Sequence, residues 1–238
     1  MTTVDIDDLL ARLRGLANPD NVAGMARYGI SSVGTLGVSV TTLRDIAKEL
    51  RAWRRADPQG VHVLAGQLWS SGIHEARILA GIIDIPELVT EAQADAWVAE
   101  LDSWDVCDQL SDVFSSTTFA YAKAVEWAQA EATFVKRSGF VLMCRLAVRD
   151  KKAADADLIA FLPLIEREAC DDRNFVKKAV NWALRQIGKR SPACQAAAVA
   201  SAERILLEHA DCAAARWTAR DALRELRSDP VRRRLALL

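Results

Sequence analysis

The stretch with the most chemical content is Asp102-Ser103-Trp104-Asp105-Val106-Cys107-Asp108-Gln109. If a helix starts there, Trp104 and Asp108 lie one turn apart and face the same way, while Asp105 points elsewhere. That pairing puts an aromatic surface beside a carboxylate. A buried tryptophan beside a capping or salt-bridging aspartate is the plainer alternative.

Two further stretches carry polar groups in a helical pattern. In Glu131-Ala132-Thr133-Phe134-Val135-Lys136-Arg137-Ser138-Gly139-Phe140, Phe134, Val135, Gly139 and the following Val141 can line an apolar contact while Lys136 or Arg137 projects past it. Arg137 suits bidentate contact with a phosphate or carboxylate, which a lysine cannot make. In the stretch from Asp171 to Arg185, Phe175, Val176, Ala179 and Trp182 form an inner face, and Lys178 and Arg185 share a basic flank with Lys189. Its acidic start and basic end also suit a helix dipole, so part of that charge order serves stability.

The elements that must position these groups read as helices. Apolar spacing marks helices at about 5–16, 42–54, 60–69, 73–83, 90–101, 104–113, 117–128, 132–149, 156–169, 173–189, 193–209 and 212–227. Joins such as Asp57-Pro58, Ser71-Gly72, Ile85-Pro86 and Ser191-Pro192 separate them. The segment 32–40, with Gly34 and Gly37, reads as a loop that delivers Thr41 or Thr42 to cap the next helix. It lacks the GKS or GKT of a phosphate-binding loop. From about residue 60 the helices recur in units of roughly 30 to 40 residues, as in stacked helical pairs, with a compact bundle as the competing architecture.

Composition narrows the classes of function. The chain has 238 residues with 31 basic and 32 acidic side chains, a net charge of -1. The balance is uneven: residues 1–119 carry 9 basic and 17 acidic groups, and residues 120–238 carry 22 and 15. The second half is therefore the better candidate for phosphate contact. Cys107, Cys144, Cys170, Cys194 and Cys212 contain no CxxC pair, which argues against a zinc finger, an iron–sulfur run or a disulfide scaffold, and most are expected to be buried thiols. His62, His74 and His209 are too scattered for a metal motif. The acidic start, MTTVDIDDLL, is unlike a signal peptide, and no apolar run approaches the roughly 20 residues of a bilayer span, so a cytoplasmic protein is expected. Trp53, Trp69, Trp97, Trp127 and Trp217 are expected in the core, and Arg232 to Arg234 form a solvated basic tail.

Taken together, SWDVCD, EATFVKRSGF and NFVKKAVNWALRQIGK resemble the AlkD-like DNA alkylation-repair family of bacteria, over roughly residues 25–190. The resemblance implies an all-α fold, a right-handed α-α superhelix of HEAT-like antiparallel helix pairs, in one domain over 1–238 with residues 1–40 as a helical cap and loop. It implies a monofunctional glycosylase that releases cationic N3- or N7-alkylated purines from duplex DNA. In that reading Asp108 stabilises the sugar oxocarbenium and positions water, Trp104 packs on the deoxyribose, and Arg137 holds a phosphate, as the three catalytic residues. Trp182, Lys136, Lys177, Lys178, Arg185 and Lys189 would contact DNA. No cofactor or metal is implied, and damaged duplex DNA is the expected partner of a monomer, away from membranes. A noncatalytic DNA-binding repeat protein and a protein-binding scaffold are the alternatives.

Overall fold

A computed structural model of the chain describes residues 4–237. Every regular element among them is a helix. The chain divides into two compact units, Met1–Thr117 and Thr118–Leu238.

The first unit contains α1 (Ile6–Gly15), α2 (Pro19–Ala26), α3 (Val40–Glu49), α4 (Arg51–Ala56), α5 (Pro58–Ser70), α6 (His74–Ile83), α7 (Glu91–Ala99) and α8 (Trp104–Phe114). Several starts are written in the sequence. Asn18 and Asp57 accept backbone N–H groups at the heads of α2 and α5, each followed by a proline whose missing N–H costs nothing there. The cap of α3 is Ser39, whose Oγ accepts from the N–H of Thr42, rather than Thr41 or Thr42 as expected. The helix expected over 42–54 is two helices, because ψ at Leu50 is -6°, far from the roughly -42° of a continuing helix.

At the centre of this unit lies α6, which packs on α3, α5 and α8 and buries all but two of its ten residues. Gly81 permits the approach to α8: a Cβ there would sit 2.9 Å from Leu110 Cδ2. Glu75, also on α6 and fully buried, binds the loop ahead of α3. Its carboxylate accepts the N–H groups of Leu36 at 2.8 Å, Gly37 at 2.6 Å and Val38 at 3.3 Å. Three donors on one buried carboxylate compensate its desolvation and hold a segment without regular structure. Gly37 takes φ +81°, a conformation that L side chains rarely adopt.

The second unit contains α9 (Ala120–Ala128), α10 (Thr133–Arg149), α11 (Asp155–Ile159), α12 (Leu162–Arg167), α13 (Asn174–Gly188), α14 (Pro192–Glu208), α15 (Ala213–Leu226) and α16 (Asp229–Arg234). Here α10 is central, packed on α9 and α13, and an unbroken run from Arg137 to Cys144 is buried. The helix expected over 156–169 is two, since Pro163 is accommodated only in the first turn of α12. Two short helices lie outside the expected set, α2 and α16, and the latter takes up Arg232 to Arg234.

Candidate functional site

Trp104 is the first residue of α8, and Asp108 follows one turn later. Val106, Cys107, Leu110, Ser111, Val113 and Phe114 form the buried face of the helix, which leaves Trp104 and Asp108 together on the half-exposed side. Trp104 and Asp108 thus lie one turn apart on the same side of the helix, as expected, and Asp105 points elsewhere.

The head of α8 is held from two directions. The Trp104 Nε1–H donates to the Tyr28 carbonyl at 3.1 Å, which fixes the indole against the loop ahead of α3. Asp105 Oδ2 lies 2.8 Å from His74 Nε2, at the start of α6, and its Oδ1 accepts from the Ser103 hydroxyl and from the Val106 N–H. Burial opposes charge on both partners. Their mutual hydrogen bond and attraction prevail, so the His74 pKa is raised and that of Asp105 lowered. The pair therefore favours imidazolium beside carboxylate, locking the turn that carries Trp104 and Asp108. The sequence offered no sign of it, because the partners are 31 residues apart.

In the second unit, Arg137 is buried rather than projecting to solvent, with 5% of its surface exposed. Its Nη1 donates to the Phe175 carbonyl at 2.8 Å, tying α10 to the first turn of α13. Gly139 is buried where α10 packs closely on α9. A Cβ there would come within 2.7 Å of Ala128 Cα and 2.8 Å of the Ala124 carbonyl.

Trp182 is half-buried on α13, and the Arg145 guanidinium of α10 stands 5.4 Å from its ring centroid. Arg145 was missed in the sequence because nothing but tertiary proximity connects it to Trp182. The basic residues expected to meet DNA divide into two groups. Lys136 pairs with Glu168 at 2.7 Å and Asp171 at 3.5 Å, Arg185 with Glu225 and with Asp221 at 3.3 Å, and Lys189 with Glu225 at 2.9 Å. Lys177 instead stands 5.2 Å from the Trp217 ring centroid, and Lys178 is exposed. Trp217 corrects the expectation of a core residue, since 41% of its surface is exposed, whereas Trp53, Trp69, Trp97 and Trp127 are buried. Among the cysteines, Cys107, Cys144 and Cys194 are buried, Cys170 is exposed and Cys212 half-exposed.

Among the described residues no group of three His, Cys, Asp or Glu side chains could hold a metal ion. No helix among them is long and apolar enough to cross a membrane.

The fold is shared with known proteins. One solved structure matches 84% of this chain and 83% of its own, with a TM-score of 0.73 and 19% identity. It is described as a new family of proteins related to the HEAT-like repeat DNA glycosylases, with affinity for branched DNA structures. At that identity the likeness speaks for the fold, which is HEAT-like. No curated protein matches the chain. The family model described as DNA alkylation repair enzyme matches residues 9–226, through both units and every candidate residue above, so the chain belongs to the DNA alkylation repair enzyme family.

Proposed function

We propose that this protein is a monofunctional DNA glycosylase that hydrolyses the N-glycosidic bond of purines carrying a cationic alkyl group at N3 or N7. The observation that carries the reading is Trp104 and Asp108 one turn apart on the half-exposed face of α8, in a chain of this family. The C1′–N9 bond breaks with its electron pair passing to the purine, which departs neutral. Water bonds to C1′ and releases a proton to solvent. The Asp108 carboxylate stabilises the oxocarbenium charge on the sugar and positions that water. The indole of Trp104, anchored through Nε1, packs on the deoxyribose.

In this reading Arg137 takes the phosphate beside the lesion, which requires its buried guanidinium, bonded to the Phe175 carbonyl, to be uncovered when DNA binds. Trp182 packs near the lesion, Lys178 meets the backbone directly, and Lys177 does so on leaving the Trp217 ring. Lys136, Arg185 and Lys189 contribute only by exchanging carboxylate for phosphate, because their present partners are Glu168, Asp171, Asp221 and Glu225. The protein acts on duplex DNA as a cytoplasmic monomer without cofactor or metal.

A second reading, DNA binding without base release, is favoured by one point. The solved relative is described by its affinity for branched DNA. Release of methylated purine from alkylated duplex DNA separates the two, measured for the native protein, Asp108→Asn and a protein-free control. The glycosylase reading expects faster release by native protein and a loss of about 100-fold in D108N. No acceleration by the native protein overturns it, and duplex affinity then distinguishes a noncatalytic DNA binder from a protein scaffold.

A further inference from the structure

A second aromatic group stands on a basic surface of the Thr118–Leu238 unit. Helix α15 buries Ala214, Ala215, Thr218, Ala219, Ala222 and Leu226, yet carries Trp217 with 41% of its surface exposed. Around the indole, Arg216, Arg220 and Arg224 follow one another at successive turns. With Ala213, Trp217 and Asp221 they line an open cavity of about 340 Å³. Lys177 of α13 adds its ammonium 5.2 Å from the ring centroid.

The charge of this surface is positive. Its one lining carboxylate, Asp221, is engaged by Arg185 and Arg224. Arg216 donates to the Ala210 carbonyl at 2.6 Å, which leaves its cation without neutralisation at that contact. Among the described residues neither Arg220 nor Lys177 has a carboxylate within ion-pair distance.

We propose that this face binds a single-stranded stretch of DNA, with one base stacked on Trp217 and the flanking phosphates at Arg216, Arg220 and Lys177. Charge complementarity alone would admit any polyanion. The indole narrows the choice, because a duplex presents phosphates outward and keeps its bases stacked, whereas an unpaired base offers a free π-face. An acidic peptide satisfies the cations and leaves the indole unused. Stacking displaces the Lys177 ammonium from the ring, and a phosphate adjoining the stacked base receives it. The inference requires neither Asp108 nor base release, so it stands or falls separately from the glycosylase reading.

Fluorescence anisotropy provides the test, comparing a blunt duplex with the same duplex extended by a single-stranded tail of about ten nucleotides. Native protein is expected to prefer the tailed DNA. Trp217→Ala should lose about tenfold on the tailed substrate with little change on the blunt one, while Trp217→Phe retains most of the preference. Arg220→Gln should lower the salt dependence of tailed-DNA binding by about one ion. Thermal melting of each variant controls for folding. Equal native affinity for the two DNAs, equal losses on both in W217A, or displacement of tailed DNA by polyglutamate as readily as by single strands would each overturn the proposal.

Discussion

His74 Nε2 and Asp105 Oδ2 meet at 2.8 Å, joining the first turn of α6 to the first turn of α8 beside the residues on which the proposed chemistry depends. His74 is 6% exposed, so this contact is shielded from the solvent screening that weakens surface pairs. Removing one partner leaves the other buried without its main compensation. Asp105→Ala is expected to destabilise the fold by about 3 kcal/mol in urea titrations.

The same pair predicts a pH dependence. His74 is raised above its ordinary value of about 6.5, so its contribution is complete below that pH and fades as pH rises through the folded-state value. Asp105 is lowered, so its contribution is complete above the ordinary carboxylate range and fades as pH falls through the folded-state value. The charged pair is therefore strongest from about pH 4 to 6.5. In unfolding titrations across pH, the stability gap between native protein and His74→Gln should be widest at about pH 6 and shrink as pH rises through the raised folded-state value of His74. A gap independent of pH contradicts the assignment.

Trp104→Phe keeps an aromatic face but removes the donor to the Tyr28 carbonyl. Base release should fall more in kcat than in KM, because a ring free to rotate loses transition-state contact before it loses DNA affinity. A change confined to KM would show that the indole serves binding alone.

Gly139→Ala tests the packing of α10. The new methyl group would face main-chain atoms of Ala124 and Ala128, which cannot rotate away as a side chain can. A loss of about 3 kcal/mol or failure to fold is expected, read by thermal melting. A neutral substitution would mean that α9 and α10 can separate without penalty.

The thiols should differ in reactivity. Burial works against ionisation of Cys212, but hydrogen bonding from Cys170 and from the Ala215 and Ala214 N–H groups at the head of α15 lowers its pKa. Cys170, with burial and its thiol neighbour both opposing charge, is raised to about 11. At neutral pH a disulfide reagent should modify Cys212 first and the buried Cys107, Cys144 and Cys194 last. Mass spectrometry of the labelled peptides gives the order.

Local patterns made the helices legible. Period-3.6 spacing located twelve segments, and Asp57-Pro58 and Ser191-Pro192 marked two helix starts correctly. The same information failed where a local break competed with a continuing apolar pattern. Leu50 and Pro163 each divide a segment that periodicity joined, and α2 and α16 are too short for an amphipathic pattern to stand out. Trp104 and Asp108 were readable because their relation lies within one helical turn.

The amino-acid order by itself determined the all-helical class, the family resemblance and the shared face of Trp104 and Asp108, since each depends on residues a few positions apart. Tertiary structure decided what the charges are for. It turned Asp105 toward His74, buried Arg137 against the Phe175 carbonyl, gave Lys136, Arg185 and Lys189 carboxylate partners and left Trp217 outside. Those outcomes rest on contacts between segments about 30 to 40 residues apart, where desolvation and pairing are set by which helices pack together, a quantity no local spacing contains.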